Sequence, residues 1–198
     1  HILIHLLERL PKISDQLNCK FNFYIVGNGP MLDFLKMKVS NLNINLHYID
    51  SVSRKDLPNF LKTIDIGFAQ GMTALDFANN SVPTVLCDFS YKPIKRKYHF
   101  KWLKDSKGFN LGEDIKNYDR KSDEDSLKKI IHSVIDDIKI SSQESYEYVK
   151  NNHSIFHVST KFLIQIGNSS LRYKNVPSNL FKIGIITKIL GGKPGWQD

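Results

Sequence analysis

The chain has 198 residues, 41% of them hydrophobic and 24% charged, the balance of a folded domain and not of a disordered one. No apolar run approaches the roughly 20 residues that a membrane-spanning helix needs, and the opening His1-Ile2-Leu3-Ile4-His5 carries neither the basic region nor the small-residue cleavage site of a secretory leader. The formal charge of +8 suits phosphates, nucleic acid or an anionic membrane surface as partners, and equally suits a coat of solvated lysines.

In chain order, Leu3, Leu6, Leu7 and Leu10 recur at spacings of three and four, which predicts an amphipathic helix over Ile2–Leu10. Phe21 to Val26 reads as a strand closed by Gly27-Asn28-Gly29-Pro30, with Pro30 suited to the first position of a helix through Leu32, Leu35 and Val39. Leu46–Ile49 is a second strand. Ser53 is a good N-cap for a helix over Lys55–Thr63. Ile64–Ala69 is a third strand, followed by a helix from Met72 to Asn80, and Pro83–Cys87 is a fourth, its proline admissible at the first position. Strands alternating with helices predict a Rossmann-like, doubly wound parallel sheet covered on both faces.

Beyond Asp88 the character changes. Lys92, Lys95, Arg96, Lys97, Lys101, Lys104 and Lys107 interleave with Tyr91, Tyr98, Phe100 and Trp102. An amphipathic helix is predicted over Asp123–Ile138, its acidic first turn favoured by the helix dipole. Two further helices, Gln143–Asn151 and Ser154–Ile166, form a C-terminal helical extension. The domain is expected over 1–166, with a tail over 167–198 that is rich in Gly, Ser, Asn and Pro and has one apolar stretch at 181–190. Cys19 and Cys87 form no CxxC pair and read as reduced thiols, which suits a cytoplasmic protein.

In open doubly wound sheets, ligands sit beyond the carboxyl ends of the strands. There, Gln70-Gly71-Met72-Thr73-Ala74-Leu75-Asp76 starts a helix directly from a strand. Its first amide N–H groups, at Met72, Thr73 and Ala74, would form an anion site, with Gly71 leaving room for a close approach. Asp76, one turn on, is placed to accept hydrogen bonds from the vicinal hydroxyls of a ribose. Together they describe a nucleoside diphosphate; the plainer alternative is a helix start with an exposed Asp.

Gly27-Asn28-Gly29-Pro30 resembles the start of a dinucleotide fingerprint but lacks the third glycine, and no P-loop is present, so nicotinamide, flavin and P-loop NTPase chemistry are disfavoured. His153 and His157 have the spacing of a zinc pair without a third ligand, and no metal or cofactor is expected. The basic-aromatic segment could hold phosphates or single strands; a solvated surface with Phe100, Trp102 and Leu103 turned inward is the preferred reading.

The order of pieces resembles the C-terminal, nucleotide-sugar-binding domain of GT-B glycosyltransferases of the family 4 type, including those that build capsular and surface polysaccharides. The resemblance rests on Tyr24-Ile25-Val26-Gly27-Asn28-Gly29-Pro30, Leu46–Asp50, Asp56–Leu61, Ile64-Asp65-Ile66, Gly71–Ala78 and Val82–Val85, with support from Phe100–Leu103 and Phe109–Gly112. It implies that Gly71, Met72, Thr73 and Ala74 cradle the donor diphosphate, that Asp76 stands where the family usually has a ribose-holding Glu, and that Ile49, Asp50 and Ser51 meet the nucleobase. Gly27 and Gly29 complete the implied donor-binding set.

Where the family has a first Glu ahead of the helix, Gln70 stands directly before Gly71. The resemblance also implies a first strand bearing a basic pair, and an N-terminal domain holding the acceptor and the catalytic residues, none of which maps onto this chain. The partners it implies are a UDP- or GDP-type sugar, a glycan or lipid-linked acceptor and the N-terminal GT-B domain. Peripheral association with the inner face of an anionic membrane fits the charge, and no nucleic acid is expected. The fragment alone should be catalytically silent. The rival reading is a non-enzymatic α/β module that uses the 92–107 segment to bind nucleic acid or anionic lipid.

Overall fold

The computed structural model of the protein describes residues 1–42, 44–94, 98–115 and 126–170. The chain divides into two compact units, His1–Ser154 and Ile155–Asp198. The first contains α1 (Ile2–Leu17), β1 (Asn22–Val26), α2 (Leu32–Val39), β2 (Asn45–Ile49), α3 (Leu57–Leu61), β3 (Gly67–Ala69), α4 (Gly71–Asn79) and β4 (Thr84–Leu86). It continues with β5 (Lys101–Trp102), a 3-10 turn over Leu103–Asp105, α5 (Ser126–Asp136) and α6 (Ile138–Asn152). The second unit contributes α7 (Ile155–Asn168), none of whose residues is buried. The expected acidic first turn at 123–125 and the apolar stretch at 181–190 lie outside the described residues.

The chain is α/β, but the strands do not form one continuous parallel sheet. β1 and β2 pair in parallel over their full length, from Asn22 opposite Asn45 to Val26 opposite Ile49. β3, β4 and β5 form a separate sheet in that order. Within it, β3 and β4 run parallel, whereas β5 is antiparallel to β4, with Val85 opposite Trp102. The antiparallel strand comes from the basic-aromatic segment, where charge obscured the extended residues.

β4 is buried at all three positions, as a parallel strand covered on both faces should be. On one face Val85 packs with Leu6, Leu7 and Leu10 of α1, with Leu127 and Ile131 of α5, and with Tyr98 and Phe100. On the other, Leu86 and Ala69 pack with Ala74 and Ala78 of α4, with Leu103 of the 3-10 turn and with Val149 of α6. The small side chains of α4 let that helix lie close on the sheet. Buried hydroxyls stitch the layers together: Ser145 accepts from the Thr84 amide at 3.2 Å, and Ser126 accepts from the Phe100 amide at 3.1 Å.

Several boundaries differ from those expected, for local reasons. α1 runs past Pro11 to Leu17 because Ile13 continues the buried stripe, and it ends on Asn18 in the left-handed conformation (φ 49°). α2 starts at Leu32, so Pro30 belongs to the turn before it. α3 is shorter than expected: Ser53 closes a preceding turn, its Oγ accepting from the Asp56 amide and donating to the Asp56 carboxylate. α6 begins at Ile138, where the Asp137 side chain accepts from the Lys139 and Ile140 amides.

Pro11 removes one helical hydrogen bond from α1 and crowds the carbonyl one turn earlier. Replacing it with Ala should raise the unfolding free energy by roughly 2 kcal/mol, allowing for the greater freedom of the unfolded chain. Urea denaturation of Pro11→Ala against the parent chain checks this.

Candidate nucleotide site

The candidate residues are found at the carboxyl ends of three strands: Gly27 and Gly29 after β1, Ile49, Asp50 and Ser51 at the end of β2, and Gly71–Asp76 after β3. Gly27 and Ile49 are in direct contact, the Gly27 amide donating to the Ile49 carbonyl at 3.0 Å, so these two loops form one rim. No hydrogen bond among the described residues joins that rim to Gly71–Asp76.

α4 opens at Gly71, with Gln70 in the extended conformation ahead of it and no side chain capping the helix. Gly71 itself has φ +60°, a left-handed value that costs a residue with a Cβ about 1–2 kcal/mol. A Cβ there would meet nothing within 4 Å. The glycine therefore serves the turn, and the space above it is open without its help.

The Gly71 amide is not free: it donates to the Leu111 carbonyl at 2.7 Å. This modifies the expected cradle: Met72 and Thr73 are the uncapped amides of the first turn, while the Ala74 amide, four residues beyond the N-cap Gln70, belongs to the helical ladder. Met72 and Thr73 are exposed, Met72 at 70%, while Ala74 is buried. Asp76 is exposed, four residues beyond Met72 and so on the same face of the helix. Its carboxylate has no hydrogen-bond or ion-pair partner among the described residues, and its backbone carbonyl accepts from the Asn80 side chain at 2.8 Å.

The loop that covers the start of α4 is held by a cluster that the sequence alone did not single out. Asp88, just past β4 and 3% exposed, accepts from the Glu113 amide at 2.9 Å and from the Tyr98 hydroxyl at 3.1 Å. Lys101 lies 3.5 Å from the same carboxylate, itself nearly buried. The Asp88 amide in turn donates to the Tyr98 oxygen at 2.9 Å. Gly112 in this loop has φ +119°, and a Cβ on it would come within 2.7 Å of the Cys87 carbonyl. An Asp directly after an apolar strand, at the edge where parallel sheets place their chemistry, was the available signal for this cluster.

At Cys87, burial first and the charge of Asp88 second push the thiol up to about 12. The Cys19 thiol is also raised by burial, and both cysteines are free.

His153 ends α6 and approaches the Tyr148 hydroxyl at 3.3 Å, whereas His157 belongs to α7, so the pair does not share one helix. No group of three or more His, Cys, Asp or Glu suited to a metal occurs among the described residues. No helix among the described residues is long and apolar enough to cross a membrane. In the basic-aromatic segment, Tyr98, Phe100 and Leu103 are buried, Trp102 packs against the core, and Lys101 and Lys104 pair with Asp88 and Glu144. Lys95, Arg96 and Lys97 lie outside the described residues.

Compared with known proteins, the chain matches no family model, no curated protein and no solved structure.

This geometry has measurable consequences for two residues. Asp88→Ala leaves Lys101 buried without its counter-charge and releases the loop at Glu113, and should cost about 3 kcal/mol in chemical denaturation. Gly71→Ala should cost about 1 kcal/mol while Gly71→Asn costs less, because Asn tolerates the left-handed region and neither side chain clashes. Thermal melts of the two glycine variants side by side distinguish backbone strain from lost space.

Proposed function

We propose that this chain is the donor-binding half of a GT-B glycosyltransferase of the family 4 type, which moves a sugar from a UDP- or GDP-type donor onto a glycan acceptor in surface polysaccharide synthesis. In this reading the Rossmann-like sheet is the scaffold, and the acceptor is held by a partner domain. The observation that carries it is the start of α4: uncapped amides at Met72 and Thr73, and one helical turn along the same face, a carboxylate at Asp76 with no partner among the described residues. Four helical residues span about 6 Å, which suits a diphosphate at the helix mouth and a ribose beside it.

The chemistry asked of this half is electrostatic. As the bond between the sugar's anomeric carbon and the diphosphate oxygen breaks, the electron pair leaves with that oxygen. Amide N–H groups of Met72 and Thr73, aligned with the helix dipole, would stabilise the charge that develops there. Asp76 would accept from a ribose hydroxyl and fix the register of the donor. Gly27, Gly29, Ile49, Asp50 and Ser51 would form the rim that meets the base.

The alternative, a module that binds nucleic acid or anionic lipid through 92–107, has less behind it. Lys101 and Lys104 are engaged with carboxylates, and the aromatic rings that would stack on bases are largely turned into the core.

Calorimetric titration of the chain with UDP and GDP tests the proposal. One of the two should bind, and Asp76→Ala should weaken that binding about tenfold or more, the worth of a hydrogen bond to a charged group. If neither nucleotide binds while DNA, RNA or anionic vesicles bind with a steep salt dependence, the alternative replaces it.

A further inference from the structure

β1 and β3 each have one paired edge and one unpaired edge. β1 is bonded to β2 and β3 to β4, and no ladder joins β1 to β3 among the described residues. Between the two unpaired edges lies a cleft of about 860 Å3, with all of Asn22–Val26 along one wall and all of Gly67–Ala69 along the other. Leu6 and Leu10 of α1 and Ile131 and Val134 of α5 also line it. Side chains reach across it where the rings of Phe23 and Phe68 stand 6.2 Å apart.

What could fill such a cleft is limited by its two kinds of surface. The walls are strand edges, which present rows of backbone N–H and C=O groups in need of partners. The helices contribute apolar side chains. Water would satisfy the edges but wet the apolar lining, and an apolar small molecule would do the reverse. A β-strand satisfies both, since it bonds to an edge on either side and turns its side chains to the layers above and below.

We propose that the cleft is a socket for one further β-strand, an extended apolar segment running parallel to β1. His1 lines the cleft itself, and the 16 residues of α1 carry the chain from there back to β1. That is the strand–helix–strand crossover by which parallel strands are connected, and its length exceeds the dozen or so residues such a connection needs. With the strand in place the two sheets become one, in the order β2, β1, inserted strand, β3, β4, β5. The socket is a property of the scaffold and exists whether or not a nucleotide binds.

The test adds Lys-Val-Val-Ile-Val-Val and a short Gly-Asn-Ser linker ahead of His1. The control is an equal segment whose second and fourth apolar residues are Asp. Amide hydrogen exchange is read at β1 and β3, together with the melting midpoint and the size of the particle in solution. The apolar segment should slow exchange at both strands by about tenfold or more and raise the midpoint, as a monomer, while the Asp-bearing one does neither. Equal effects from both segments, no protection at either strand, or protection that appears only in a dimer would overturn the proposal. If the extended chain is insoluble, the acetylated and amidated peptide Lys-Val-Val-Ile-Val-Val-Lys is added to the 198-residue chain and the same amides are read. Protection of both strands then supports the socket, and its absence overturns it.

Discussion

The architecture around the candidate site depends on one buried carboxylate. Asp88 emerges from β4 into the interior and must find partners there, because an unpaired charge at that depth costs several kcal/mol. It finds them in two stretches of chain: Tyr98 and the β5 lysine Lys101 in the basic-aromatic segment, and the backbone of Glu113. Satisfying it draws the basic-aromatic segment against β4 and folds the 109–115 loop over the end of the sheet. The same segment is tied to α1, where Arg9 donates to the Tyr98 carbonyl and His5 is within hydrogen-bond distance of the Ile94 carbonyl.

Through that loop, Asp88 shapes the start of α4. The Leu111 carbonyl takes the Gly71 amide, and Gly112 packs against the Cys87 carbonyl with no room for a side chain. A helix start has several amides without intrahelical partners. Here the fold uses one of them and leaves the next two at the surface, beside an acidic side chain. The arrangement is compatible with anion binding because the first amide anchors the loop and the others remain uncapped.

β4 also sets the division of the core. With both faces buried, it separates a large cluster built by α1, α5 and the aromatic pair Tyr98 and Phe100 from a smaller one built by α4 and α6. The larger cluster extends to β1 through Ile25 and Phe23, so α1 and α5 belong to both sheets although the sheets do not pair. The helical layer spans a gap that the strands do not close.

The helices and strands of the first ninety residues were legible in the amino-acid order, because apolar periodicity and the turn residues around them are local signals. The helix start at Gly71 was legible for the same reason: a glycine between a strand and a helix announces its backbone. What the sequence could not announce was anything decided by partners far away in the chain. The helix expected over Ile2–Leu10 runs on to Leu17, because packing of Ile13 carries it past Pro11. Lys101 looked like surface charge, but it lies in a strand and neutralises Asp88. Within the first ninety residues the sequence alone determined which segments would be helix or strand, since that depends on neighbours a few residues apart. Only the tertiary structure decided which strand edges meet, which charges are buried together and which helix amides stay uncapped, since those depend on contacts across dozens of residues.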